Sequence, residues 1–141
     1  MELKRVVVTG IGALTPLGNN LNDYWDGLLH GVSGANFITL FDATKFKTRF
    51  ACELKNFDPL SFLEKKESRK LDRFAQTAVG ASDQAVADAG ISKENVNPDR
   101  VGVVFASGIG GLITFQEEVV HFAKGDGTPR YNPFFIPKMI L

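Results

Sequence analysis

Cysteine and histidine are scarce in this 141-residue chain, which contains only Cys52, His30 and His121. One cysteine cannot form a disulfide framework within the chain, and so few thiol and imidazole groups are not typical of a metal cluster. We therefore predict neither a metal nor a cofactor. We interpret Cys52 as a small, semi-buried apolar residue, because nothing beside it in sequence would activate the thiol. We interpret His121 as structural, because it lies on a partly apolar predicted helix. Low cysteine content also fits a reducing compartment, so we expect a cytoplasmic protein.

Net charge and long apolar runs are lacking too. Lysine plus arginine and aspartate plus glutamate each number 16, and a neutral chain is not typical of general nucleic-acid binding. The apolar run at residues 6–8 is too short for a signal peptide or a membrane span. We expect neither nucleic acid nor membrane as a partner.

Strand and helix patterns alternate along the chain. β-branched residues favour strands at 5–9 and 101–106. Apolar spacing predicts helices from an N-cap at Asn22 to a stop at Gly31, over 69–89 and over 112–123. Residues 33–60 are expected to be irregular, with short strands at 46–50 and 51–54. This alternation is typical of an α/β protein with parallel strands, and we expect no separate domains within residues 1–141.

Two glycine-rich turns follow the predicted strands. The first carries Gly10 and Gly12 but has Thr15 where a dinucleotide-binding fingerprint needs its third glycine. We interpret it as a structural turn. The second, Ser107-Gly-Ile-Gly-Gly111, places the bulky Ile109 between glycines at the carboxyl end of a predicted buried strand. Ligands bind at such ends in open α/β sheets, so this loop is a candidate ligand site.

A dense group of basic residues precedes the long predicted helix. Its members are Lys65, Lys66, Arg69, Lys70 and Arg73. Four of them would share one face if the helix extended back to residue 66. Two interpretations remain open, a solvated face or a docking patch for an acidic partner. We interpret Asp72, beside Arg69 and Arg73, as part of a local ion pair.

Four motifs in register resemble the β-ketoacyl-[acyl-carrier-protein] synthases, in particular the elongating synthase II type of bacterial fatty acid synthesis. They are Val6-Val-Val-Thr-Gly-Ile-Gly-Ala-Leu-Thr-Pro-Leu-Gly18, Glu67-Ser-Arg-Lys-Leu-Asp72, Ser107-Gly-Ile-Gly-Gly111 and Asn132-Pro-Phe-Phe-Ile-Pro137. The resemblance implies a thiolase-like fold with αβαβα layers, of which this chain would be the first part of the N-terminal half, with a mixed, largely parallel sheet. It also implies a homodimer and a decarboxylative Claisen condensation of malonyl carrier protein with an acyl-enzyme thioester.

The resemblance places no catalytic residue in this chain. The family uses a Cys-His-His set that lies beyond the matching stretch, and neither Cys52, His30 nor His121 aligns with it. We expect the chain to be the N-terminal portion of a longer enzyme, a view that the apolar end at residues 133–141 also favours. Alone, it should be inactive and should lack stable tertiary structure or associate.

Two kinds of site carry over from the family. Gly108 and Ile109 match its acyl-pocket gate, and Phe134 and Phe135 match residues near that pocket at the dimer interface, with plain core packing as the alternative for both phenylalanines. Carrier-protein contacts carry over to the basic residues Lys66, Arg69, Lys70 and Arg130. A non-catalytic partner subunit of the chain-length-factor type remains an alternative, whereas thiolases, which use coenzyme A thioesters, fit the basic patch poorly.

Overall fold

The computed structural model describes residues 3–140, which comprise five helices and two short strands. The helices are α1 (Leu21–Leu29), α2 (Lys65–Ser68), α3 (Arg73–Asp88), α4 (Leu112–Lys124) and α5 (Phe135–Met139). The strands are β1 (Asn36–Phe37) and β2 (Phe50–Ala51), and short 3₁₀ turns span Pro59–Ser61 and Pro98–Arg100. The described residues form two compact units. Residues 3–58 and 81–92 form one, and residues 59–80 and 93–140 form the other.

In the first unit, the N-terminal glycine turn packs against the alanine-rich second half of α3. A β-carbon built on Gly10 would lie 2.7 Å from the β-carbon of Ala89, and one on Gly12 would lie 2.9 Å from the nitrogen of Ala85. The glycines are therefore required by close packing, as the structural interpretation of this turn predicts. The alanine face of the predicted helix allows the N-terminal turn to lie close to the helix backbone, as the sequence predicts.

Polar side chains of α3 hold the same turn through its backbone. The carboxylate of Asp88 accepts from the Ile11 N–H at 2.9 Å, and the Gln84 side-chain oxygen accepts from the Ala13 N–H at 3.1 Å. The Gln84 amide nitrogen also donates to the Asn19 carbonyl oxygen at 2.7 Å. These bonds occupy main-chain groups that no helix or strand satisfies.

Helix α1 begins two residues earlier than the sequence predicted. Its N-cap is Asn20, whose side-chain oxygen accepts from the Asp23 N–H at 2.9 Å, so the prediction of Asn22 was wrong. Asn22 lies inside the first turn instead. The predicted stop holds, since Gly31 follows the helix with a φ of 63°, a conformation that glycine adopts without strain.

The predicted parallel sheet does not form within the described residues. Their sheet is a two-stranded antiparallel pair, with Asn36 opposite Ala51 and Phe37 opposite Phe50. Residues 5–9 and 101–106 belong to no strand, and Val104 is 95% exposed. A buried parallel strand needs hydrogen-bonded neighbours and covered faces, and strand-forming composition supplies neither.

The helix predicted over 69–89 begins four residues later than predicted, because α3 starts at Arg73 and runs without a break to Asp88. Residues 69–72 form a turn between α2 and α3. The side-chain amide of Gln76 stabilises this turn by donating to the Ser68 carbonyl oxygen at 2.8 Å and to the Leu71 carbonyl oxygen at 3.2 Å. Carbonyl groups at the end of α2 are thus satisfied by a side chain of α3.

The second unit ends in two packed helices. The bounds of α4, Leu112–Lys124, confirm the helix predicted over 112–123. Helix α5 was not predicted, because its five residues are too few to show a helical period and include Pro137. Proline is tolerated there because it lies in the first turn.

Candidate functional site

The glycine loop holds Ile109 out from the second unit. The Ile109 side chain is 74% exposed, and a β-carbon built on Gly108 would have no neighbour within 4 Å. Packing therefore leaves room around both residues that the family resemblance assigns to the acyl-pocket gate.

The next two glycines are confined rather than open. A β-carbon on Gly110 would lie 2.5 Å from the ring of Phe74, and one on Gly111 would lie 2.9 Å from the carbonyl oxygen of Lys138. Gly111 also has a φ of 65°, which disfavours any other residue. The loop is thus held on its carboxyl side and open at Gly108 and Ile109.

A buried hydrogen-bonded pair fixes the segment that follows the loop. The Asp72 carboxylate accepts from the Thr114 N–H at 3.0 Å and from the Thr114 hydroxyl at 2.6 Å. Each residue is only 6% exposed. The sequence pattern predicts a local ion pair for Asp72, whereas in the structure Asp72 is buried against α4. An aspartate immediately before an apolar-periodic segment is a helix N-cap signal, and that signal could have drawn attention to Asp72.

The two candidate phenylalanines differ in their surroundings. The ring of Phe135 stacks between Phe115, at a centroid distance of 6.3 Å, and Tyr131, at 5.7 Å. Tyr131 continues the row to Phe122 at 5.8 Å. Phe134 instead remains exposed. In this structure Phe135 is a packing residue between α4 and α5, and Phe134 is the one available for contact with a ligand or a partner.

The basic group does not lie along one continuous helix. Lys66 belongs to α2, while Arg69 and Lys70 lie in the turn before α3. The shared helical face required a helix extending back to residue 66, and that condition is not met. Lys66 and Arg69 are nevertheless exposed, and the Lys70 ammonium pairs with Glu67 at 2.7 Å. The segment keeps a cationic surface, although one of its charges is partly offset.

Arg130 lies between α4 and α5 and is well exposed. Its guanidinium is 3.8 Å from the Asp126 carboxylate. Hydrogen bonds from Thr128, first from its backbone N–H, lower the pKa of Asp126 below the ordinary value. Asp126 therefore stays ionised at neutral pH, and the pair with Arg130 is an exposed one of small energetic value.

The remaining reactive side chains do not form a catalytic group. Cys52 is exposed, so the expected semi-buried position was wrong. His30 lies next to Asp26, with 3.2 Å between ring nitrogen and carboxylate, and His121 lies exposed in the last turn of α4. Across residues 3–140 no set of histidine, cysteine and acidic side chains is arranged to hold a metal ion. Nor is any helix in that range long and apolar enough to cross a membrane.

Residues 3–140 match the family model of the beta-ketoacyl synthase N-terminal domain. The chain belongs to the beta-ketoacyl synthase family. That assignment confirms the resemblance seen in the four sequence motifs.

Curated relatives carry the name 3-oxoacyl-[acyl-carrier-protein] synthase 2. The protein of Synechocystis sp. is 46% identical over 140 residues, that of Staphylococcus aureus strain N315 is 44% identical over 138, and that of Coxiella burnetii is 43% identical over 141. These alignments cover 99%, 97% and 100% of this chain, but 33%, 33% and 34% of the relatives. The chain thus spans about a third of the length of these relatives.

Solved ketosynthases share the fold. A beta-ketoacyl synthase from Burkholderia phymatum superposes with a TM-score of 0.75 at 27% identity, over 98% of this chain and 34% of its own. The ishigamide ketosynthase/chain length factor gives 0.73 at 28% identity, over 94% and 33%. AntDE:AntF, a ketosynthase in complex with its acyl-carrier protein, gives 0.74 over 98% and 35%, and at 24% identity it supports the fold alone. The predicted thiolase-like α/β fold is confirmed.

Proposed function

We propose that this chain is the N-terminal third of an enzyme that elongates acyl chains in fatty acid synthesis. The observation that carries the proposal is 43–46% identity, across nearly every residue, to three proteins named 3-oxoacyl-[acyl-carrier-protein] synthase 2. The substrates would be an acyl carrier protein loaded with the growing chain and one loaded with malonate. The complete enzyme would be a cytoplasmic homodimer.

The reaction implied by the family has two transfers. An enzyme cysteine first takes the acyl group from one carrier protein, whose thiol leaves. Malonyl carrier protein then loses carbon dioxide, and the resulting carbanion attacks the acyl-enzyme carbonyl and expels the enzyme thiolate. The product is a 3-oxoacyl chain longer by two carbons. The Cys-His-His set for this chemistry would come from outside the matching stretch, so the isolated chain is expected to be inactive.

This chain would contribute the wall of the acyl pocket. The support is the exposure of Ile109 and the open space at Gly108, which leave a branched side chain able to change position. Phe134, exposed at the start of α5, would line the same pocket or the dimer interface. Phe135 would support it from the aromatic row.

The chain would also receive the carrier protein. Lys66, Arg69 and Lys70 form a cationic segment before α3, and Arg130 offers a further exposed guanidinium. An acidic partner helix would be attracted by these charges, and charge attraction speeds association most strongly at low ionic strength.

A non-catalytic partner subunit is the second candidate. Its support is the structural similarity to the ishigamide ketosynthase/chain length factor at 28% identity. The enzyme is favoured, because the relatives named as synthases are considerably closer in sequence. The two candidates differ in whether the complete protein has a cysteine nucleophile.

The direct test uses the complete protein that carries this chain. It is mixed with an eight-carbon acyl carrier protein and radiolabelled malonyl carrier protein, and products are resolved by conformation-sensitive gel and mass spectrometry. We expect an acyl-enzyme adduct followed by a 3-oxoacyl product two carbons longer. A folded protein that forms neither would contradict an enzymatic function and favour the partner subunit.

A further inference from the structure

We propose that Asp72 is a positioning residue that sets acyl-chain selectivity by holding the loop that bears Ile109. This inference rests on the proposed function and assigns a role to a residue that the sequence motifs did not explain. The observation behind it is the junction of α3 and α4, where the Asp72 carboxylate and Thr114 are buried together.

Asp72 links two helix starts through one carboxylate. One oxygen accepts from the Thr114 N–H and hydroxyl in the first turn of α4, and the other accepts a long hydrogen bond of 3.4 Å from the Phe74 N–H in α3. The Asp72 carbonyl oxygen also accepts from the Gln76 N–H at 3.0 Å. A buried charged acceptor with several donors strongly fixes the groups around it.

Contacts next to Asp72 and Thr114 also fix the glycine loop at its carboxyl side. The ring of Phe74 leaves no space for a side chain at Gly110, and Met139 of α5 confines Gly111 in the same way. Thr114 follows Gly111 by three residues, so the loop is anchored throughout its carboxyl side. Ile109 is the first residue beyond these anchors and is 74% exposed.

The position of Ile109 therefore depends on the hydrogen bonds between Asp72 and Thr114, although Ile109 contacts neither group through these bonds. If the bond between Asp72 and Thr114 is lost, the start of α4 is released and the loop with it. Ile109 would then occupy a broader set of positions, and discrimination between long and short acyl chains would fall.

The test uses Thr114→Val in the complete enzyme, because valine keeps the backbone N–H and the shape of threonine while removing the hydroxyl. Thr114→Ser should restore the wild-type behaviour, since it keeps both donors. Thr77→Val is the matched control. The Thr77 hydroxyl donates to the Phe74 carbonyl oxygen within α3, so the same chemical change is made without removing a hydrogen bond to Asp72. Asp72→Asn provides a second variant that retains one acceptor oxygen.

Two readouts are required. Amide hydrogen exchange of residues 108–115 should rise about tenfold in Thr114→Val, consistent with loss of a bond to a charged group. The ratio of kcat/KM for a sixteen-carbon acyl substrate to that for an eight-carbon substrate should move about threefold towards one, which corresponds to about 0.6 kcal/mol in relative activation free energy. In an Ile109→Ala background Thr114→Val should leave that ratio unchanged, because the side chain on which the anchor acts is gone.

Each outcome decides the matter. Faster amide exchange in Thr114→Val with an unaltered kcat/KM ratio would mean that Asp72 stabilises only α4, and it would overturn the inference. Unchanged amide exchange in Thr114→Val would also overturn it. So would a Thr77→Val variant that changes exchange and ratio as much as Thr114→Val does. A ratio that still changes in the Ile109→Ala background would show an action that does not pass through Ile109. If the wild-type protein elongates no substrate, the proposed function itself fails, and that result appears before any variant is made.

Discussion

Gly12 and Ala81 approach so closely that no side chain fits between the N-terminal turn and α3. A β-carbon on Gly12 would meet the carbonyl oxygen of Ala81 and lie 2.9 Å from its carbonyl carbon. Backbone atoms of a helix cannot rotate away as a side chain can, so the conflict must be relieved by separating the two segments. The glycine motif at the N-terminus thus serves helix packing.

The first prediction is that Gly12→Ala destabilises the protein by about 1–3 kcal/mol, the usual cost of overfilling a packed site. Urea unfolding of the complete protein, followed by circular dichroism, measures this. Ala87→Ser, at an exposed position of α3, is the control and should change stability by about 0.5 kcal/mol or less. Equal stability of Gly12→Ala and the wild type would contradict the packing described here.

The second prediction separates the sequence-based N-cap from the observed one. Asn20→Ala removes the side-chain oxygen that accepts from Asp23 and should cost about 1 kcal/mol of unfolding free energy. Asn22→Ala changes an exposed residue inside α1 and should be neutral or slightly stabilising, since alanine is the better helix former. The reverse order of the two midpoints in urea would show that α1 begins at the later residue.

Elements that depend on a local pattern could be predicted from the sequence. The apolar period of α4 and the glycine at position 31 correspond to the helix bounds and the αL stop that the structure shows. The turn at residues 69–72, which delays the start of α3 to Arg73, was not predicted, because it depends on Gln76 reaching back to Ser68. That contact is set by the folded turn and leaves no mark on helical periodicity.

The strand predictions show a different limit. Residues 6–8 and 103–104 have the composition of buried strands, yet Val103 is 84% exposed and Val104 more so. Composition reports the preference of a segment, whereas a sheet also requires partners at hydrogen-bonding distance. Likewise, only some residues of the candidate site could be predicted from the sequence. Motifs located Ile109 and the basic residues, but the pairing of Asp72 with Thr114 spans 42 positions and could not be predicted from spacing.

The third prediction concerns carrier-protein docking. Replacing Lys66, Arg69 and Lys70 together with glutamate should raise the KM for carrier-protein substrates at least tenfold at low salt, because attraction becomes repulsion. The effect should diminish as ionic strength rises and the Debye length falls to about 8 Å at physiological salt. Steady-state kinetics at several salt concentrations measure it.

A triple charge reversal elsewhere controls for net charge. Lys45, Lys47 and Lys93 are exposed and lie outside the basic segment, so changing them to glutamate alters the total charge equally. This variant should keep a KM close to the wild-type value. If both triple variants behave alike, or if salt has no influence on the first, the basic segment is an ordinary solvated surface.

The fourth prediction concerns Ile109. Ile109→Phe fills the open space beside Gly108 with a larger, stiffer side chain and should reduce kcat/KM for sixteen-carbon acyl chains at least tenfold, while substrates of six carbons or fewer change little. Mass spectrometry of the acyl-enzyme formed with each chain length measures this. Ile91→Phe, which enlarges a partly exposed isoleucine in the first unit, is the control. If long acyl chains still acylate the Ile109→Phe variant at the wild-type rate, Ile109 does not line the acyl pocket.

The most direct measurement of the central claim is an exchange of segments with a relative. Residues 1–141 replace the aligned third of the 3-oxoacyl-[acyl-carrier-protein] synthase 2 of Synechocystis sp., to which they are 46% identical, and condensation of acyl and malonyl carrier proteins is followed. If this chain is the N-terminal part of an elongating synthase, the folded chimaera will form 3-oxoacyl product with kcat/KM within about tenfold of the parent, a difference of some 1.4 kcal/mol. A chimaera that folds and takes up the acyl group, yet forms no elongated product while the parent does, would contradict the account.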